Sequence, residues 1–205
     1  MVIEEFGPRV ASVWNHLRTS TQNMVERAWR SPTPGSASQV QRSTPYDPRA
    51  DQELSQLLTA LDEHAGQVES SSGREEAHEA RRLADACANL LSQQTQSAEF
   101  FAQLIARAHQ RKDYARVDEL AALLPERLAP SEMAELGRAD NVVVRALAQE
   151  ALTQLPTSLL VVLLRDPVDA AIARQALERQ ATEFGSAEAQ QVLNDFETTG
   201  LDDVL

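Results

Sequence analysis

The sequence predicts an all-α protein, and three observations carry that prediction. Only 4% of the 205 residues are aromatic while alanine and leucine are plentiful, which favours closely packed helices over a β-rich core. Apolar residues recur at three- and four-residue steps through most of the chain. The stretch from Asp113 to Phe184 also repeats itself at a nearly constant offset.

With Asp113 set over Asp140, Val117 falls on Val144, Leu120 on Leu147 and Ala121 on Ala148, all at an offset of 27. Pro130 meets Pro156 and Met133 meets Leu159 at 26. A looser third copy begins at Asp166-Pro167, where Ala173, Ala176 and Leu177 reproduce the spacing of Ala148, Ala151 and Leu152. A period in this range marks stacked helical units, each too small to bury its apolar face alone. Asp113, Asp140 and Asp166 are each placed to cap a helix start, and Pro167 suits a first helical position, where its missing donor costs nothing.

Asp140 followed by Val144-Arg145, Ala148, Ala151 and Leu152 resembles the second helix of a HEAT-type repeat. The run Leu155-Pro156, Leu159, Leu163, Asp166-Pro167 resembles the variant leucine-rich repeats, short helical units with a similar Leu-Pro and Asp-Pro rhythm. The likeness covers roughly residues 113–196. Two departures stand out: Asp169-Ala170 occupies the place of the expected Val-Arg, and the cysteines that accompany some variant leucine-rich repeat proteins are missing. The resemblance implies a short α-solenoid-like domain that binds other macromolecules without chemistry of its own.

Taken in order, residues 1–30 are expected as a separate amphipathic N-terminal helix, started by Gly7-Pro8. Between Arg18 and Asn23 its apolar stripe lapses into Thr, Ser and Gln, so it is either one helix with a polar belt or two short halves. Residues 31–50, rich in Ser, Thr and Gln with four prolines, are expected as a flexible linker with ends roughly 25 Å apart. Residues 51–198 are expected as one all-helical repeat domain, with a core beginning at Asp47-Pro48 or soon after. Leu54, Leu57, Leu58, Leu61, Ala65 and Val68 form the stripe of its first helix, and the cluster from Ser70 to Gly73 is a turn. The next helix carries Ala80, Leu83, Ala84, Cys87, Leu90 and Leu91, and the two should form an antiparallel hairpin. A third buries Phe100, Phe101, Leu104, Ile105 and Ala108 and closes near Arg111-Lys112. Asp113 caps the first repeat helix, Pro125 and Pro130 bound the connection to Met133–Leu136, and Gly185-Ser186 separates the third repeat from a last helix bearing Val192, Leu193 and Phe196. Residues 199–205 read as an acidic tail.

The net charge of −12 is uneven: residues 1–50 carry +2 and residues 51–205 carry −14. Such a surface repels phosphate and argues against duplex nucleic acid as a ligand. The one cysteine, Cys87, excludes an internal disulfide and any cysteine-built metal site. The N-terminus has no compact apolar signal core, so the cytoplasm is the expected location.

The search for chemistry finds little. Glu75-Glu76-Ala77-His78 holds the Glu-x-x-His spacing that places two ligands on one helix face in di-iron bundles, with His64 nearby in sequence. The second such pair is missing. No phosphate loop, nucleophile elbow or His-Glu-x-x-His motif is present, and no cofactor is expected. The leading expectation is therefore a non-enzymatic scaffold or assembly subunit. It would bind a protein partner through the repeat surface and through Val10, Trp14, Leu17, Met24, Val25 and Trp29 of the N-terminal helix. That helix has three docking surfaces open to it: its own core, a partner protein, or a membrane. The alternative is an all-helical metal-dependent enzyme, or its regulatory subunit, with a site near His64, Glu75 and His78.

Overall fold

The computed structural model describes residues 3–30, 46–70 and 73–202. The expected linker over 31–45, Ser71 and Ser72 of the turn, and the last three residues of the expected tail lie outside them. The described residues form eleven α-helices and a 3-10 turn, with no strand among them. Two compact units divide the chain, Met1–Thr95 and Gln96–Leu205. The boundary falls inside the expected 51–198 span, and the first unit also takes in residues 1–30.

In the first unit, the 3-10 turn Ile3–Phe6 leads into α1 (Gly7–His16), followed by α2 (Thr19–Arg30), α3 (Pro48–Ser70) and α4 (Arg74–Gln94). The N-terminal stretch is thus two halves, broken where Leu17 turns to extended backbone after α1. Gly7 takes φ +85°, where a side chain is strained, and a Cβ there would come within 3.2 Å of His64 Nδ1, a tight contact. The pair α3 and α4 is the antiparallel hairpin: Gln94 Nε2 donates to Asp51 Oδ1 at 2.9 Å at one end, while Glu69 pairs with Arg81 at the other. Its seam is the expected one, with Leu54, Leu57, Leu58 and Leu61 fully buried, as are Leu83, Ala84, Cys87 and Leu91. Each buried leucine contributes about 1.5–3 kcal/mol by leaving water. Helix α1 packs on α3, and α2 packs on α4 and α3.

The second unit holds α5 (Ala98–Gln110), α6 (Tyr114–Arg127), α7 (Pro130–Leu136), α8 (Val142–Thr153), α9 (Thr157–Leu163), α10 (Ala170–Thr182) and α11 (Ala187–Asp202). Helix α6 packs on α8 and α8 on α10, while α7 packs on α9 and α9 on α11. Helices α8 and α10 run parallel: Arg138, just before α8, pairs with Asp169 at the start of α10, and near the other ends Arg179 meets Glu150 at 2.8 Å. The backbone at Gly137 lies so close to Ile172 that a Cβ would collide with it.

Four local expectations are corrected. Asp113 does cap α6, accepting from the Arg116 amide at 3.1 Å, but α8 is capped by Asn141, which accepts from the amides of Val143 and Val144 at 3.0 and 3.3 Å. Helical backbone starts at Val142, so the side chain able to reach the free amides is the one immediately before it, not Asp140. Asp166 accepts from Val168 N at 2.9 Å in a turn, and α10 starts at Ala170 instead of Pro167. Pro125 lies inside the last turn of α6, where its ring costs one backbone hydrogen bond without ending the helix. The last helix also runs on to Asp202, past the expected tail boundary.

Candidate functional site

The structure takes the six N-terminal candidates in two sets. Val10, Leu17 and Val25 are buried in the first unit, whereas Trp14, Met24 and Trp29 are half-buried. The Trp29 ring receives the Arg82 guanidinium from α4, with its carbon 4.9 Å from the ring centroid, a cation–π contact. The Trp14 carbonyl accepts from Gln22 Nε2 at 2.9 Å, which ties α1 to α2 across the break.

The polar belt between the two halves has a partner of its own. Arg18 Nε donates to Glu53 Oε1 at 2.8 Å, its backbone amide reaches the same oxygen at 3.3 Å, and the buried Thr21 hydroxyl donates to Glu53 Oε2. Arg18 Nη1 also meets Asp47 Oδ2 at 2.8 Å. Hydrogen bonds to Glu53 and Asp47 raise the Arg18 guanidinium above its ordinary value, and the bond from Arg18 lowers Asp47. Burial pushes Glu53 upward, but the bonds from Arg18 and Thr21 outweigh it and hold the carboxylate below its usual value. Asp51 behaves oppositely. It is fully buried, and that burial raises it despite bonds from Thr95, Tyr46 and Gln94. Sequence reasoning missed this cluster; the one available signal was the lapse of the apolar stripe at Thr21.

The candidate metal residues are not brought together. His64 Nε2 sits 2.9 Å from Glu76 Oε1, with the Phe6 ring edge-on at 6.1 Å, while Glu75 and His78 point to solvent on α4. No group of three His, Cys, Asp or Glu side chains able to hold a metal occurs among the described residues. Cys87 is buried in the hairpin seam.

The second unit presents a different surface. Val142, Leu159, Val162, Val168, Phe184 and Phe196 are exposed, with Val162, Val168 and Phe184 at 62%, 64% and 62%. A groove of about 390 Å³ lies where the α8–α9 and α10–α11 turns meet. Beneath it, Gln180 Nε2 donates to the carbonyls of Thr153 and Leu155 at 2.9 and 2.6 Å, and its Oε1 accepts from Thr157 Oγ1 at 3.2 Å. Every hydrogen-bonding group of this buried amide is thereby engaged or filled, which fixes the floor. Beside it Arg179 is shared between Glu150 and Glu183, at 2.8 and 3.1 Å. Its bonds to Glu183 and Glu150 raise it further above its already basic range.

No helix among the described residues is long and apolar enough to cross a membrane. No family model matches the chain, and no curated protein or solved structure shows significant similarity to it.

Proposed function

We propose that this chain is a non-enzymatic interaction scaffold or assembly subunit of the cytoplasm, whose second unit is a short α-solenoid holding a protein partner. The carrying observation is the set of apolar side chains left exposed on that unit, among them Leu159 and Val162 on α9 and Val168 after it. Leu159 and Val162, three residues apart on one helix, share a face, and apolar side chains exposed together are a common mark of a protein–protein contact. The solenoid reading is supported by the alternation of neighbours, α6 with α8 and α8 with α10, and α7 with α9 and α9 with α11. In this reading the N-terminal contribution narrows to the outward sides of Trp14, Met24 and Trp29, because Val10, Leu17 and Val25 are already covered by the chain itself.

The test is co-purification of the full chain from its source cells, wild type against a Leu159→Ser, Val162→Asp double variant with matching helical circular dichroism and melting. Wild type is expected to retain a stoichiometric protein that the variant loses. A variant that keeps the same companions, or a wild type that brings none, refutes the scaffold reading.

A further inference from the structure

The groove at the α8–α9 and α10–α11 turns has three properties that together select a ligand. Its floor is rigid, because the Gln180 amide binds the end of α8 through two carbonyls and takes the Thr157 hydroxyl in return. Its lining offers apolar surface on Pro156 and the exposed ring of Phe184. Among the described residues that line it, Glu188 is the one that ionises, and no described cation pairs with that carboxylate.

Helix ends do not reverse this sign. Two helices finish at the groove, α8 and α10, and two begin there, α9 and α11, so their end charges oppose one another. The formal charge on Glu188 then decides what is attracted. The volume suits a few side chains of a peptide, within the usual range for a small-ligand cleft.

We infer that this groove receives a basic segment of a partner protein, an arginine or lysine side chain meeting Glu188 while its aliphatic stem and an apolar neighbour cover Phe184 and Pro156. The long stems of both basic residues lie readily on apolar surface with the charged head held in water or on a carboxylate. The aromatic face of Phe184 adds attraction for a cation placed over it. This inference rests on the scaffold reading and supplies the chemistry of one of its contacts. It uses residues apart from Leu159 and Val162, so the two can fail separately.

An array of heptapeptides with a fixed central Arg, Lys, Gln or Glu and mixed flanks, probed with the full chain, tests it. Wild type should retain Arg and Lys peptides over Gln and Glu peptides. Glu188→Gln should lower that retention about fivefold, the scale of one solvent-facing ion pair, and Phe184→Ala should lower retention of peptides with apolar flanks. Glu99→Gln on α5, which does not line the groove, controls for general attraction to an acidic chain and should leave retention unchanged. Retention without a cationic preference, or equal loss in Glu188→Gln and Glu99→Gln, overturns the inference. Loss of the partner in the Leu159 and Val162 variant alone, with Glu188→Gln and Phe184→Ala binding peptides as wild type does, leaves the scaffold standing and removes the groove as its basic-peptide site.

Discussion

The first unit turns its surfaces inward and the second leaves them out. In the first, two helices of 23 and 21 residues form the body, and the shorter α1 and α2 lay their apolar faces on them. Among its described residues Tyr46 is the one large hydrophobic that counts as exposed. The second is built from helices of 7 to 16 residues, and seven large hydrophobic side chains are exposed among its described residues. Much of the difference sits on α9 and in the turns: Leu159 and Val162 face out from a helix whose Leu160 and Leu163 are buried, and Val168 and Phe184 lie between helices. That contrast is why the second unit, and not the tryptophan-bearing end, now draws the functional reading.

Emptying the core of one unit while following the other tests this difference most directly. Phe101 on α5 is fully buried, and Phe101→Ala should cost the second unit about 3–5 kcal/mol. Both tryptophans lie in the first unit, so their fluorescence follows that unit alone while circular dichroism follows all the helices. Thermal unfolding of the variant should show the dichroism transition shifted down with the fluorescence midpoint unmoved. Equal shifts by both probes would mean one cooperative core and would end the contrast.

A smaller effect tests the polar ties of the first unit. Glu53→Ala leaves the buried Thr21 hydroxyl without its acceptor, at about 1–3 kcal/mol. The pH dependence has a definite sign. Glu53 and Asp47 titrate lower in the fold than their ordinary values of 4.5 and 3.8, so their contribution is full above those values and is lost as pH falls through the folded ones. Asp51 titrates higher in the fold, so its charged form burdens the unit at neutral pH and that burden lifts as pH falls toward 3.8. In denaturant titrations at several pH values, the advantage of wild type over Glu53→Ala should shrink below pH 4.5. Relative to Asp51→Asn, wild type should instead gain as pH falls from 7 toward 4. Parallel curves for both variants would remove the assigned roles.

Much of this was legible in the chain. The hairpin seam and the apolar face of α5 follow from residues three and four apart, such as Leu54, Leu57, Leu58 and Leu61, because burial there is decided within one helix. The ties that sequence reading missed join residues far apart. Thr21 meets Glu53 across 32 positions and Gln180 meets Thr153 across 27, and no local period records such a pairing. The groove is hidden for the same reason, since its lining comes from two turns that only the packing of α8 beside α10 brings together. At the N-terminus the sequence showed amphipathic faces but not their cover. Val10 and Val25 look alike as free anchors and as core residues until α3 and α4 are placed beneath them.

The smallest predicted effect separates two adjacent residues that the repeat alignment could not. Asp113 and Asp140 match at the repeat offset, yet the cap of α8 is Asn141, whose side-chain oxygen takes two amides of the first turn. Asn141→Ala should therefore cost the second unit about 1 kcal/mol, while Asp140→Ala should stay within about half that, as an exposed side chain outside the cap. Asp113→Ala, which removes the bond to the Arg116 amide, should resemble Asn141→Ala. Chemical denaturation followed by circular dichroism resolves the three. An Asp140→Ala loss equal to that of Asn141→Ala would return the cap to the register the repeat implies.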